Sequence, residues 1–171
     1  MVYGRLSRRL RVLKLKRFSD YCEVLKDEDS PELGDFINAI TTNLTSFFRE
    51  NHHFEYLAKT VLPKVMRDNM QSKRIRIWSA GCSTGEEPYS IAMVVREVVP
   101  ERSGWDVKIL ATDLDSNVVA KASSGIYTKE RVTGISRERV QRFFKESSAG
   151  CMAVKPTLRD LITFKQLNLM H

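Results

Sequence analysis

The stretch IWSAGCSTGEEPYS, Ile77 to Ser90, sets two glycines and two adjacent carboxylates between an apolar run and a helical pattern. Gly81 and Gly85 let the backbone turn tightly and approach a ligand closely. Glu86 and Glu87 then stand at the mouth of that turn. A second apolar run, WDVKILATDLD, ends on Asp113 and Asp115. In an open α/β sheet, ligands bind beyond the carboxyl ends of the strands, where loops feed helices, so both acidic groups fall at a candidate site.

Three ligand classes compete for such a loop. A Walker phosphate loop requires a lysine and a Ser or Thr after its second glycine, and here glutamate stands there. A dinucleotide fingerprint requires GxGxxG, whereas the spacing here is GxxxG followed by acid. A pyrophosphate beside Glu86 and Glu87 costs about 1 kcal/mol or more per close like-charge pair even in water. A nucleoside-like, phosphate-free, cationic ligand removes the conflict. S-adenosylmethionine is one: its ammonium suits a loop carboxylate or backbone carbonyl, and its ribose hydroxyls suit an acid at the end of the second strand, where Asp113 and Asp115 stand. A blander reading coexists, since first-turn glutamates are favoured by the helix dipole and an Asp after a strand often caps the next helix.

The elements that must position these residues follow from periodicity. Residues 1 to 72 read as a helical module with a linker. In GRLSRRLRVLKLKR, Leu6, Leu10 and Leu13 recur at helical spacing. Ser19 is a candidate cap for a helix through DYCEVLK, and Ser30 with Pro31 opens a third helix through Phe36, Ile37 and Ile40. HHFEYLAKTVLPKVM extends the helical pattern. At Arg74 the period changes: RIRIWSA alternates as a strand, EEPYSIAMVVREVV has helical spacing, and WDVKILATDLD is a second strand. Strand, glycine turn, helix and strand make a βαβ unit with parallel strands. In this loop Ser83 or Thr84 is a candidate cap, and Pro88 fits the first helical turn. SNVVAKASSG reads as a helix capped by Ser116 and stopped by Gly125, and SRERVQRFF as another. LITFKQLNL is a good strand candidate and CMAVK a weaker one. The fold class is α/β, with residues 73 to 171 forming a partial Rossmann-like sheet. Such a sheet ordinarily has more strands than these, and the final LNLMH carries no cap, so the sequence reads as a fragment of a longer pattern.

Composition bounds the rest. The chain has 171 residues, 42% hydrophobic, enough for one ordinary domain or a helical module joined to a modest α/β core. A formal net charge of +7 makes an acidic partner plausible without defining the fold. Cys22, Cys82 and Cys151 have neither paired nor CxxC spacing, which implies no disulfide framework and no zinc site, and fits a reducing cytoplasm. No apolar run approaches the roughly 20 residues of a membrane helix. Adjacent His52 and His53 lack a third ligand and read as helix-start residues; no metal site is expected.

TTNLTSFFRENHHFEYL, RIWSAGCSTGEEPYSIAM, ILATDLDSNVVAKASSGIY and ITFKQLNLM resemble successive motifs of CheR-type chemotaxis methyltransferases. That resemblance implies protein-glutamate O-methyltransferase activity, with S-adenosylmethionine as donor and glutamates on the cytoplasmic helices of chemoreceptors as acceptors. It implies a helical domain, a Rossmann-like class I methyltransferase domain and a small antiparallel β-subdomain at about residues 146 to 165. The cofactor-contacting positions it implies are Asn43, Thr45, Arg49, Glu86, Asp113, Asn168 and Leu169. Arg49 is the candidate to orient a carboxylate of substrate or cofactor, because its planar fork suits either. A cytoplasmic monomer is the expected form.

The N-terminal arginines, Arg5, Arg8, Arg9 and Arg11, form either a solvated face over a leucine stripe or a docking surface for acidic receptor helices, as the resemblance implies. An RNA methyltransferase ranks second, because stacking aromatics interleaved with basic residues are absent. A receptor-binding module that does not hold cofactor is the non-enzymatic alternative.

Overall fold

A computed structural model describes residues 2–27, 29–147 and 150–170. Three short helices come first: α1 (Val2–Val12), α2 (Phe18–Leu25) and α3 (Glu32–Ile40). Their junction is polar. Glu32 is buried, accepts from Arg9 Nε at 2.8 Å and Nη2 at 2.6 Å, and from the Tyr21 hydroxyl at 2.7 Å. Arg9 also reaches Asp35 at 2.5 Å, so α1 and α3 are tied by a forked ion pair. Helix α2 begins at Phe18 with Arg17 at its cap position, and Ser19 only donates to Asp20. Ser30 does serve α3: its hydroxyl accepts from the Glu32 N–H at 3.4 Å while Pro31 already has helical dihedrals.

After residues 41–50 the chain forms α4 (Asn51–Tyr56), a π-helical turn (Leu57–Val61) and α5 (Leu62–Asp68), which pack on helix α6 (Glu86–Val98). The π turn lies just ahead of Pro63. Proline has no N–H and its ring crowds the carbonyl four residues earlier, so a wider turn there keeps the helix continuous.

The parallel sheet has the order β1 (Arg74–Ser79), β2 (Asp106–Asp113), β6 (Ile162–Gln166). Arg74 pairs with Asp106 and Ile109 with Ile162 in register, so the two expected strands of the βαβ unit are parallel neighbours. Helix α6 (Glu86–Val98) connects β1 to β2 and buries Tyr89, Ala92, Met93 and Val95. On β2, Val107, Ile109 and Ala111 point into the core as alternation requires.

Helix α7 (Ser116–Ser124) ends at Gly125, whose φ of 63° supplies the expected left-handed stop. Its cap is Asp115 rather than Ser116: Asp115 Oδ1 accepts from the N–H groups of Asn117 at 2.9 Å and Val118 at 3.4 Å. A carboxylate cap also answers the dipole, which a serine hydroxyl does not. Between α7 and β6 lies a small antiparallel sheet of order β3 (Ile126–Thr128), β5 (Cys151–Val154), β4 (Phe144–Glu146). Helices α8 (Lys129–Val132) and α9 (Arg137–Phe143, capped by Ser136) join β3 to β4, and α10 (Pro156–Arg159) leads from β5 to β6. The antiparallel element thus begins near residue 126, not 146, and residues 162–166 join the parallel sheet instead. Strands of three and four residues are too short to show a period of two, which is why β3 and β4 escape a reading by alternation. Residues 148 and 149 of the expected span lie outside the described residues.

The helical part is fastened to the sheet by one carboxylate. Asp115, 4% exposed, caps α7 with Oδ1 and accepts with Oδ2 from Thr41 Oγ1 at 2.9 Å and Asn43 Nδ2 at 2.8 Å. Asn38 adds bonds to the Ser116 hydroxyl and N–H. Beyond the clamp, Phe47 packs edge-on against Tyr127 and Phe144, with ring centroids 5.0 and 5.7 Å apart.

Two outcomes are expected. Asp115→Asn presents an amide that serves either the α7 cap or the Thr41/Asn43 donors but not both, and should cost about 1–3 kcal/mol in denaturant unfolding. It should also speed proteolysis between residues 41 and 46. Arg9 holds the Glu32 carboxyl below its ordinary 4.5, helped by Tyr21 and opposed by burial. A depressed carboxyl stabilises the fold above its unfolded value and stops doing so as pH falls through its folded value. Circular dichroism should therefore show α-helix loss below about pH 4.5, and Glu32→Gln should reduce stability at pH 7 while flattening that acid limb.

Candidate functional site

The loop after β1 is held in a conformation that L residues rarely take. Ser83 has φ 48° and Gly85 φ 98°. At Gly85 a Cβ would sit 2.7 Å from the Tyr127 hydroxyl and 2.9 Å from Ala122 Cβ, so the glycine is required by space as well as by dihedral. Gly85, not Ser83 or Thr84, occupies the α6 cap position, and the Thr84 hydroxyl instead donates to Glu86 Oε2 at 2.6 Å.

Asp113 closes the loop from the end of β2. Its Oδ2 accepts from the Ser83 N–H at 2.8 Å and its Oδ1 from the Asp115 N–H at 3.0 Å. The Ser83 hydroxyl donates to the Asn43 carbonyl at 3.2 Å, which brings the segment before α4 against the loop. Together these residues wall a cleft of about 470 Å³ beyond the carboxyl ends of β1 and β2. Asn43, Thr45, Arg49, Gly81, Glu87 and Asp113 line it, with Glu50 and His53 at the α4 side. The volume lies within the range of small-molecule sites, roughly 300–1,000 Å³.

Four of the seven expected cofactor positions therefore meet in one place: Asn43, Thr45, Arg49 and Asp113. Arg49 is exposed and donates to the Leu44 carbonyl at 2.9 Å, which leaves guanidinium N–H groups facing the cleft. Glu86 is not among the lining residues. Its side chain is fully buried and ion-paired with Arg131 of α8, and neither partner lines the cleft. The carboxylate that lines the cleft is its neighbour Glu87, exposed and accepting from the Ser79 hydroxyl at 2.7 Å. Asn168 and Leu169 follow β6, next to the end of β2, where the Leu167 N–H donates to the Asp113 carbonyl at 2.9 Å. They do not line the cleft, and Leu169 is 62% exposed. Glu87 was missed by motif matching; its signal in sequence is only its place in the first turn beside a glycine loop.

The cleft is acidic. Glu50, Glu87 and Asp113 face it against the single guanidinium of Arg49, with His53 at the edge. The neighbouring Cys82 thiol registers this field: burial first, then the Asp113 and Glu87 carboxylates, pushes it up to about 12. It is held as a neutral thiol and offers no nucleophile. Among the described residues no three His, Cys, Asp or Glu side chains converge as metal ligands, and no helix is long and apolar enough to cross a membrane.

Of the basic residues on α1, Arg9 is committed to Glu32 and Asp35, Arg5 donates to the Thr41 carbonyl, and Arg11 donates to the Ser7 carbonyl. Arg8 is exposed. With Arg5, Asn38 and Thr41 it lines a second cleft, about 530 Å³, that shares Thr41 and Asn43 with the first.

Residues 43–171 match the family model described as CheR methyltransferase, SAM binding domain, and residues 1–41 match CheR methyltransferase, all-alpha domain. A chemotaxis protein methyltransferase of Escherichia coli is 42% identical over 99% of this chain and 58% of its own length. Chemotaxis protein methyltransferase 2 of Pseudomonas aeruginosa is 43% identical over 100% and 60%. A probable chemotaxis protein methyltransferase of Rhizobium etli is 40% identical over 99% and 65%. The chain thus spans less than two thirds of the length of these relatives. With both family models matched in order and the three carboxylates of the cleft lying within the second, this chain belongs to the CheR methyltransferase family.

Proposed function

We infer that the cleft binds S-adenosylmethionine and that this chain serves methyl transfer to glutamate side chains on the cytoplasmic helices of chemoreceptors. The observation that carries the reading is the charge of the cleft: three carboxylates and one guanidinium converge where an open α/β sheet binds nucleosides. A zwitterionic ligand with an extra positive centre meets attraction there, whereas a nucleotide phosphate meets repulsion.

The donor set divides by chemistry. Asp113 is rigid, because both carboxylate oxygens already accept backbone N–H groups, and it suits ribose hydroxyls. Glu87 and Glu50 suit an ammonium or sulfonium centre. Arg49 presents a planar fork to a carboxylate, either the cofactor's own or that of the substrate glutamate. Asn43 and Thr45 add neutral polar groups. When bound, S-adenosylmethionine supplies a methyl carbon activated by a sulfonium leaving group. The acceptor needs no base from this chain, because a glutamate with an ordinary value of about 4.3 is ionised at neutral pH. What the residues contribute is alignment and exclusion of water, which can be worth several kcal/mol in a bimolecular displacement. His53 lines the cleft without a proton-transfer task in this chemistry.

For docking, the exposed Arg8 and its cleft between α1 and α3 give an acidic helix a basic counterpart adjoining the cofactor cleft. Arg5 lines the same cleft, Arg11 adds an exposed charge on α1 outside it, and Arg9 acts through the shape of the module rather than as a free charge.

Calorimetric titration with S-adenosylmethionine should show saturable binding, weakened about tenfold by Asp113→Asn through loss of a charged acceptor. Folded protein that gives no heat would sink the cofactor reading. Labelled methyl transfer to receptor cytoplasmic helices should fall with Arg8→Glu while the cofactor Kd stays unchanged. Equal transfer by the wild type and this variant would defeat the docking assignment, and transfer to a structured RNA in preference to receptor would defeat the substrate class.

A further inference from the structure

Glu86 has no place in the cleft, yet its carboxylate is fully buried, and a buried charge requires a reason. Its Oε1 is ion-paired with Arg131 and its Oε2 accepts from Thr84 Oγ1 at 2.6 Å. Arg131 also donates to Thr84 Oγ1 at 3.2 Å, and the Tyr127 hydroxyl donates to the Thr84 carbonyl at 2.7 Å. Two loop residues that flank Gly85, Thr84 and Glu86, are therefore gripped from β3 and α8, elements of the antiparallel sheet region. From the opposite side the same loop is gripped by Asp113 at the Ser83 N–H and by Ser79 at Glu87. Glu86 and Glu87 are successive residues at the start of α6, about 100° apart around the helix axis, so fixing the direction of one fixes the direction of the other.

We propose that Arg131 is a positioning residue: by neutralising Glu86 behind the loop, it fixes the first turn of α6 so that Glu87 faces the cleft. As a claim about cofactor affinity this rests on the cleft being the S-adenosylmethionine site; as a claim about the loop it does not. Without Arg131, the Glu86 carboxylate retains one hydroxyl partner and must rehydrate, and rehydration requires the first turn to move. The side chain of Arg131 is 45% exposed, so solvent screens part of the pair and the expected effect is moderate. The position also makes the loop answerable to whatever binds the outer side of α8, because Arg131 alone carries a charge from that surface to a buried loop carboxylate among the described residues.

Amide hydrogen exchange across residues 82–87 separates this role from general stability, measured on wild type, R131M, R131K, E86Q and E86Q/R131M with the melting temperature of each. R131M should exchange about tenfold faster in that segment and bind S-adenosylmethionine about tenfold more weakly, with exchange in α2 unchanged. R131K, which keeps the charge, should stay within about twofold of wild type. The double variant should return toward wild type in both readings, since removing the carboxylate charge removes the need to rehydrate it. Wild-type exchange in R131M, or a double variant no better than R131M, overturns the proposal. Should R131M fail to fold, a double variant that also fails overturns it, and a folded double with wild-type exchange supports it. Should the wild type take up no S-adenosylmethionine, the cofactor reading fails and the exchange series alone decides the positioning role.

Discussion

Everything the cleft does depends on Asp115 using its two oxygens for different masters. One oxygen completes the N-terminus of α7, and the other holds Thr41 and Asn43 of the segment that leaves the helical module. The cleft has one wall from that segment and one from the sheet loops, and this carboxylate, with the Ser83 bond to the Asn43 carbonyl, ties the two walls. Phe47 supports the clamp by packing into Tyr127 and Phe144, and the Phe48 N–H donates to Ser90 of α6 at 3.0 Å. Anchored at both ends, residues 41–50 behave as a strap laid over the carboxyl ends of the strands. The family models divide the chain at the start of this strap, at residues 41 and 43.

The same economy of carboxylates runs through the loop. Asp113 satisfies two backbone N–H groups that a tight turn would otherwise leave bare. Glu86 anchors the back of the turn and Glu87 furnishes its front. Each acid has a structural partner, and the surplus negative charge is concentrated where Glu50, Glu87 and Asp113 face open space.

The βαβ unit, the parallel pairing of β1 with β2, the Gly125 stop and the helix through SRERVQRFF were legible because each has a local signal several residues long. The polar contacts were not, because their partners are remote. Nothing near Glu86 announces that Arg131, 45 positions away, will claim it, so the motif alone could not tell which of two adjacent glutamates lines the cleft. Ser116 and Asp115 compete for one cap, and only the tertiary partners Thr41 and Asn43 show why the carboxylate holds it. Arg9 looks like a surface charge until Glu32, 23 residues on, proves to be buried beneath it. The antiparallel sheet begins some twenty positions before the span that the resemblance implied, and its strands are too short to carry a period that would correct the placement.

The central claim is that this glycine loop with acids at its mouth is built for a cation and against a phosphate. Paired calorimetric titrations of the folded chain with S-adenosylmethionine and with ATP, at one low salt concentration, test it directly. S-adenosylmethionine should bind, and ATP should bind about a hundredfold more weakly or not at all, since juxtaposed like charges cost several kcal/mol. ATP affinity equal to or greater than that for S-adenosylmethionine would contradict the account.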